Sequence, residues 1–422
     1  ALLVALATTF ILARMKLPSF FRRKAPTVPE EPRPTLQFFN TLGREKQVFT
    51  LPEHVHTVRM YNCGPTVYGR QHIGNISMFV FADTLRRVLE YNGHSVKQVI
   101  NLTDFGHLTS DSDEGDDKMA VGLKREKLKP TMENMRLLAE KYAKIFIADL
   151  QMLNIDTSSI TFPYASDYVK EQIKMIETLE EKGYAYRGED GVYFDTFSFP
   201  HYGELGGLSE SNTEARVETR ASKRNPGDFV LWKSSENLGW NSLWGTGFPG
   251  WHIECSAMIR SILGEQIDIH TGGIEHIAIH HNNEIAQSEC TTGKRPFSRF
   301  WMHRAHLQID GGKIAKSAGK VIYMDEIVEK YHPLAFRYLL LTAHYRASQN
   351  FSWESLESAQ TVFLKLRAFV DKHPKVGSII EAYRTRIEER FNDDLDTAGA
   401  LAVVWEMMKD DSVAAEDKRA TI

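Results

Sequence analysis

The sequence predicts an α/β protein built on a parallel sheet, interrupted by a β-containing insert and closed by helices. Three observations predict it. A strand, turn, helix, strand run occupies 56–101; a second strand-and-helix series starts at Gly250 after an aromatic-rich interruption; and helical periodicity fills 331–422. Strands alternating with helices of this length imply parallel pairing through right-handed crossovers.

Residues 1–38 form a leader and linker. Ala1 to Ala13 is apolar, Arg14, Lys16, Arg22, Arg23 and Lys24 follow, and no acidic residue precedes Glu30. The apolar run is too short to cross a bilayer, which takes roughly 20 residues. A basic, acid-poor start fits either a targeting segment or upstream sequence ahead of Met15. The Pro-rich piece Pro26 to Pro34 reads as a linker.

The first strand, His56 to Asn62, leads into MYNCGPTVYGRQHIGN, Met60 to Asn75. A helix is expected from Ile76 to Tyr91, because Phe79, Phe81, Leu85, Val88 and Leu89 recur near helical spacing and Asn92-Gly93 is a stop signal. Unpaired N–H groups and partial positive charge at its N-terminus make a phosphate seat. The plainer alternative is that Gly64 and Gly74 are ordinary turn glycines. Val96 to Asn101 is the next strand, running into Thr103-Asp104, and SDSDEGDDK at 110–118 reads as an acidic surface insertion without calcium-loop spacing. A helical region from Pro130 to Leu153 precedes GVYFDT (191–196) and RNPGDFVLWK (224–233), whose alternation marks the insert.

Composition narrows the class of function. Hydrophobic residues at 42% and charged residues at 25% are those of an ordinary globular protein long enough for two or three domains. A net charge of −4 makes a nucleic-acid partner depend on a local basic face. Three widely spread cysteines, Cys63, Cys255 and Cys290, argue against a disulfide framework and for metal-binding or reactive thiols.

After Gly250, polar signals gather. PGWHIECSAM (249–258) reads as a turn and a helix from Ile253 to Leu263, and the strand QIDIH ends at His270. His280 and Glu284, in HHNNEIAQSEC, are four apart and would share one helix face. With Cys63 and Cys255 they could complete a tetrahedral zinc site of two thiolates, one imidazole and one carboxylate. The alternative is two buried thiols that pack as small hydrophobes beside a helix-surface pair. His281, His276 and His252 are equally available by residue type, so spacing leaves the choice of histidine open. Downstream, an expected strand over Phe300 to Asp310 enters Gly311-Gly312 and KIAKS, 313–317. Two lysines three apart on a glycine-hinged loop can neutralise a polyphosphate as charge shifts in a transition state, or can be a solvated basic loop.

In order, HIGN (72–75), PGWHIECSAM, HHNNEIAQSE and KIAKS closely resemble the cysteinyl-tRNA synthetase family, and FNTLGREKQVF (39–49), MYNCGPTVY, NLTD, GVYFDT, KRNPGDFVLWK and AHYRASQNFSWE (343–354) support the match. What the resemblance implies is a Rossmann-like class I synthetase catalytic domain in two halves, 39–160 and 249–330, with a connective subdomain at 161–248 and a helical stem-contact region at 331–422. It implies one Zn2+ per chain on Cys63, Cys255, His280 and Glu284. ATP with Mg2+ would lie against His72, Gly74, Asn75, Lys313, Lys316 and Ser317, with His72, Asn75, Lys313 and Lys316 carrying catalysis. L-cysteine would contact Trp251, Thr103 and His270, and tRNA(Cys) would be the acceptor. No membrane partner is expected. A cytoplasmic location follows from the resemblance, with an organellar address on the basic leader as the alternative. The signatures depart from the commoner HIGH and KMSKS, yet keep a hydrogen-bonding side chain, both lysines and the serine. The chain stops at DKRATI, before the family's anticodon-recognition domain would be complete, which a truncated sequence would explain. In the helical region Leu339, Leu340, Leu341, Leu364, Leu366, Val403, Val404 and Trp405 are the core candidates. Two other functions share the core. One is an ATP-dependent cysteine:aminosugar ligase of the mycothiol-biosynthesis type, which the wording of PTVYGRQHIGN and HHNNEIAQSE disfavours. The other is a non-catalytic paralog, which the intact lysines and ligand set disfavour.

Overall fold

The computed structural model describes residues 34–105, 118–206, 223–309, 312–313 and 321–422, with residues 312 and 313 described by their backbone alone. The leader before Pro34 and most of the SDSDEGDDK segment lie outside the described residues. An antiparallel hairpin, β1 (Gln37–Asn40) and β2 (Glu45–Val48), precedes the central strand β3 (Thr57–Asn62). Helix α1 (Ile73–Tyr91) and β4 (Ser95–Ile100) follow, and after α2 (Lys118–Arg125) and α3 (Met132–Met152) comes the short edge strand β5 (Ile160–Thr161).

Helix α1 starts three residues earlier than its apolar periodicity suggests, because His72 caps it: the ring Nδ1 accepts from the Asn75 N–H at 3.2 Å. Its end is as expected, with Asn92 as the C-terminal cap and Gly93 at φ 89°. Phe79, Phe81, Leu85, Val88 and Leu89 are all buried.

Between β5 and the second half of the chain lie α4 (Val169–Glu181) and a separate antiparallel sheet. It is made of β6 (Ala185–Arg187), β7 (Gly191–Phe194), β8 (Phe229–Ser234), β9 (Trp240–Ser242) and β10 (Gly245–Pro249), in the order β6-β7-β8-β10-β9. Helix α5 (Trp251–Ile262), against which α4 packs, returns the chain to the parallel sheet as β11 (Ile267–Gly273). The parallel sheet therefore resumes well after Gly250, and the strand before that glycine belongs to the antiparallel sheet. A π-helical turn at Ile277–His281, α6 (Asn282–Thr292) and β12 (Ser298–Arg304) complete this half.

The five parallel strands lie in the order β12-β11-β3-β4-β5. The chain begins in the middle at β3, works outward through β4 and β5, then crosses to build β11 and β12 on the other side. The direction of winding reverses between β3 and β11. Loops leaving the carboxyl ends of those two strands part to opposite faces, and the crevice they leave is where such sheets bind ligands.

The single strand expected over 300–310 is two. β12 ends at Arg304, and after Ala305 and His306 the chain enters a different sheet as β13 (Leu307–Ile309), which pairs with β14 (Gly312–Lys313) and β15 (Gln349–Phe351). Continuous apolar character hides this break, since both pieces are buried.

The helical region holds α7 (Met324–Val328), α8 (Pro333–Leu341), α9 (Trp353–Lys372), α10 (Glu381–Asn392), α11 (Thr397–Lys409) and α12 (Ala415–Thr421). Leu339, Leu340, Leu341, Leu366, Val403 and Val404 are core residues, and Trp405 is half-buried with its indole N–H on the Tyr338 hydroxyl. Leu364 is 43% exposed, because the buried stripe of α9 runs through Phe363, Leu366 and Val370 and leaves it on the outer side.

Two buried carboxylates fasten this region to the catalytic half. Asp394 accepts from the Phe39 N–H (2.8 Å), the Tyr345 hydroxyl (2.6 Å) and Arg346 Nε (2.8 Å). Asp83, on α1, faces Arg86 (2.9 Å), Arg87 (2.8 Å) and, from α8, Arg337 (2.6 Å). Burial works to raise the Asp83 pKa, but the Arg337, Arg87 and Arg86 guanidiniums outweigh it and hold the carboxyl below its ordinary value. Stability from such a group is complete above its unfolded pKa, near 4, and is lost as pH falls through the lower folded value. Asp83→Asn leaves three buried guanidiniums short of a partner. It should cost about 3–5 kcal/mol in denaturant unfolding and flatten the acid limb of the stability profile below about pH 4; an unchanged midpoint and acid limb would contradict this role.

Candidate metal centre and active site

Each side chain at the crevice is placed by a recognisable local device. Cys63 follows directly on β3, at the point where the strand gives way to a loop, and its N–H is held by the Thr271 carbonyl of β11 at 3.1 Å. The next residue must be glycine, since a Cβ on Gly64 would overlap the Asn101 carbonyl oxygen. Cys255 sits inside α5. His280 and Glu284 do not share a simple α-helix: His280 lies in the π-helical turn and Glu284 in the first turn of α6. The π turn presents both His280 and His281 to the crevice, as such bulges often do at functional sites. Gly272 leaves room for them, because a Cβ there would come within 2.6 Å of the His281 ring.

Donor atoms of Cys63, Cys255, His280 and Glu284 all lie within 4.8 Å of one another, Cys63 half-buried and the others buried. Cys255 Sγ is 3.6 Å from His280 Nε2, Cys63 Sγ is 3.7 Å from Glu284 Oε1, and His280 Nε2 is 2.9 Å from Glu284 Oε1. A tetrahedral zinc with bonds of about 2.3 Å to sulfur and about 2.0 Å to nitrogen or oxygen would need edges of roughly 3.5 Å for a mixed S–N or S–O pair. Both sulfur distances are close to that edge, and the donor set is of a type zinc takes, so these residues fit the ion.

A second set, Cys63, His270, His281 and Glu284, meets the same distance criterion. Cys63 Sγ is 3.3 Å from His281 Nε2, and Glu284 Oε2 is 2.9 Å from His270 Nε2. The first set has the stronger claim on a soft ion because it alone brings two thiols. His281 and His270 then surround it, each oriented by further contacts. His281 Nδ1 meets His303 Nε2 at 2.7 Å, His303 Nδ1 meets the Thr41 hydroxyl at 2.7 Å, and His270 stacks on Trp301 with ring centroids 4.4 Å apart. On the other side, His252 Nδ1 is 2.8 Å from His280 Nδ1, which leaves His280 Nε2 to face Cys255 and Glu284. Fixing one ring nitrogen to aim the other is how proteins orient metal-binding imidazoles.

The charges follow from burial and proximity. Burial opposes ionisation of every member, yet the His270 and His280 imidazoles hold Glu284 far below the ordinary carboxylate range. Burial would likewise lower His280, but Glu284 and Cys255 raise it to about 10. Of the two thiols, burial pushes Cys63 well above its ordinary value, whereas Cys255, against the same burial, is brought down to about 6 by Cys63 and His280. Burial and the surrounding imidazoles lower His281 well below the usual histidine range.

The other residues named from the sequence distribute as follows. Trp251 stacks on His280 with ring centroids 4.2 Å apart, and the Lys118 ammonium lies 5.9 Å from the indole centroid. Thr103 is buried and donates to Glu254 Oε2 at 2.9 Å. His72, Gly74 and Asn75 form the cap and first turn of α1, and backbone pairing of His72 with Tyr323 joins that turn to the chain just after the KIAKS loop. Lys316 and Ser317 lie outside the described residues, and Lys313 is described only by its backbone pairing with Gln308. Tyr61, Asn101, Glu254 and His303 were not singled out by residue pattern. Tyr61 and His270 are direct partners across β3 and β11, so strand alternation was the one available signal for Tyr61.

With this geometry in view, comparison with known proteins is decisive. The family model described as tRNA synthetases class I (C) catalytic domain matches residues 49–361. Cysteine--tRNA ligase 1 of Burkholderia lata is 44% identical over 382 residues, covering 89% of this chain and 80% of that protein. The chain belongs to the cysteine–tRNA ligase family. The Cysteine--tRNA ligase of Thermus thermophilus is 41% identical over 389 residues, 88% of this chain and 79% of that protein. Among solved structures, Mycobacterium tuberculosis methionyl-tRNA synthetase bound by methionyl-adenylate superimposes with a TM-score of 0.61 at 13% identity, over 86% of this chain and 88% of that one. That likeness shows a shared class I synthetase fold. No helix among the described residues is long and apolar enough to cross a membrane.

The close approach at Gly64 gives a direct test of how the family motif is seated. Gly64→Ala should force the Cys63 turn away from Asn101, at about 1–3 kcal/mol. Its melting temperature should fall by several degrees in a calorimetric scan; an unchanged melting temperature would contradict the packing described.

Proposed function

We propose that this chain is an AMP-forming cysteine–tRNA ligase, activating L-cysteine with Mg2+-bound ATP and passing the cysteinyl group to the 3′ end of tRNA(Cys). One observation carries the reading: a buried pair of thiols, an imidazole and a carboxylate meet at the sheet's switch point, a few residues before a helix N-terminus suited to phosphate.

In the first step a carboxylate oxygen of L-cysteine attacks the α-phosphorus of ATP. A C–O–P anhydride forms, the bond to the β-phosphate breaks, and pyrophosphate leaves with the electron pair. The demand on the protein is alignment and charge stabilisation rather than proton transfer. His72 accepts from Asn75 N–H through Nδ1, so its neutral ring carries the proton on Nε2 and can only donate toward a phosphate. Asn75 and the open N–H groups of the first turn of α1 add further donors, and Lys313 and Lys316 would follow the charge onto pyrophosphate. In the second step the terminal adenosine hydroxyl of tRNA attacks the activated carbonyl carbon, its proton is released, and AMP leaves.

Selectivity is the harder problem, because serine differs from cysteine by one atom and pocket shape separates such near-isosteres by only about 10²-fold. Cys63, Cys255, His280 and Glu284 would hold one zinc, which when bound favours a thiolate strongly over a hydroxyl. Trp251 keeps the His280 ring in place by stacking, and His270 holds the second oxygen of Glu284.

Labelled L-cysteine supplied with ATP should appear on tRNA(Cys) and not on a free aminosugar; labelling of the aminosugar alone would support the related ligase instead. Cys255→Ser should lose bound zinc, measured by atomic absorption, and cysteine-dependent ATP–pyrophosphate exchange together, the latter by at least about 10²-fold if the metal supplies the discrimination. Full exchange in a zinc-free variant would overturn the metal's role. Lys316→Ala should slow exchange by roughly 10²–10³-fold with zinc content intact, as for loss of a transition-state charge contact.

A further inference from the structure

Glu254 lies in α5 immediately before Cys255 and is fully buried. Its Oε2 accepts from the Thr103 hydroxyl at 2.9 Å, and its Oε1 has no hydrogen-bond partner. No lysine or arginine among the described residues forms an ion pair with it. A buried carboxyl without a counter-charge is costly, so its retention calls for a partner that arrives later.

Thr103 shows what kind of partner. A hydroxyl offers one donor and two acceptor positions. The proton goes to Glu254, and Asn101 Nδ2 reaches one acceptor position at 3.2 Å. What remains on Thr103 is a lone pair, and beside it stands an unpartnered carboxyl oxygen. Two acceptors together suit a group that is all donor and positively charged, and they repel one that is all acceptor and negative. The location is right for substrate, since Thr103 pairs through its backbone with Pro65 and Val67, two to four residues past Cys63.

L-cysteine carries one group of each kind. We propose that Glu254, acting with Thr103, forms the subsite for the substrate's α-ammonium group. This rests on the adenylation reading above and adds the polarity of recognition to it. With the sulfur held at the four-donor cluster and the ammonium at Glu254 and Thr103, the carboxylate is the one substituent left to face ATP. Attachment at two fixed points on opposite sides of the α-carbon also sets which enantiomer can present its carboxylate.

The test uses the zinc-loaded full chain and three thiols as inhibitors of cysteine-dependent ATP–pyrophosphate exchange. Cysteamine has the thiol and the ammonium, 3-mercaptopropionate the thiol and the carboxylate, and 1-propanethiol the thiol alone. In the wild type, cysteamine should inhibit at least about tenfold more tightly than 1-propanethiol, the usual worth of a charge-assisted hydrogen bond. Glu254→Gln should erase that advantage and raise the KM for L-cysteine by a similar factor. Its KM for ATP, its inhibition by 3-mercaptopropionate and its zinc content should be unchanged. Equal inhibition by cysteamine and 1-propanethiol in the wild type would overturn the subsite without recourse to any variant. So would a Glu254→Gln protein that keeps the cysteamine advantage or weakens all three thiols alike, the mark of a merely structural role. Absence of any cysteine-dependent exchange in the wild type would overturn the adenylation reading itself, and is distinguishable from exchange that fails only the analogue series.

Discussion

Glu284 is fully shielded from solvent, and each of its oxygens meets an imidazole at 2.9 Å, His280 on one side and His270 on the other. A carboxylate in such surroundings persists only if the charge is answered on both faces. That requirement fixes the rings of two histidines that come from different elements, the π turn and β11. Through His280 it reaches Cys255 on α5, and through its approach to Cys63 it reaches the end of β3. Four separate pieces of chain are registered by one side chain, and the rest of the crevice is arranged around them.

The sheet makes this convergence available. Because winding reverses between β3 and β11, the loops leaving these strands diverge and an open crevice forms where the two halves meet. Glycine at 64 and at 272 lets backbone and imidazoles approach more closely than any side chain would allow. Only eight residues separate Cys63 from the His72 cap of α1, so the group that would read sulfur and the helix end that would hold phosphate belong to one segment. Backbone pairing of His72 with Tyr323 carries the coupling to the chain following the second lysine signature. Asp83, farther along α1, then fastens that helix to α8.

Much of this could be read from residue order. The β3–α1–β4 unit, the antiparallel insert and the helical ending all follow from periodicity and stop signals, and Cys63, Cys255, His280 and Glu284 are close by type and by family resemblance. What periodicity could not supply was three-dimensional. The π turn that brings His280 and His281 inward has no composition of its own. The passage of the chain from β12 to β13 occurs within an unbroken apolar run, and Leu364 looks as apolar as its buried neighbours. Two overlapping ligand sets share Cys63 and Glu284, a degeneracy visible only once the donors are placed in space. Glu254 was hidden in a motif where the adjacent cysteine drew attention, and its significance depends on a hydrogen bond to Thr103, 151 positions away in sequence.

The central claim is that Cys63, Cys255, His280 and Glu284 hold a metal whose remaining affinity reads the substrate's sulfur. X-ray absorption at the zinc edge measures this directly by counting sulfur neighbours at about 2.3 Å. Two sulfurs and two lighter atoms are expected in the zinc-loaded protein alone, and a third sulfur on addition of L-cysteine but not of L-serine. A sulfur count that does not change with L-cysteine, or a first shell with fewer than two sulfurs before it is added, would contradict the account.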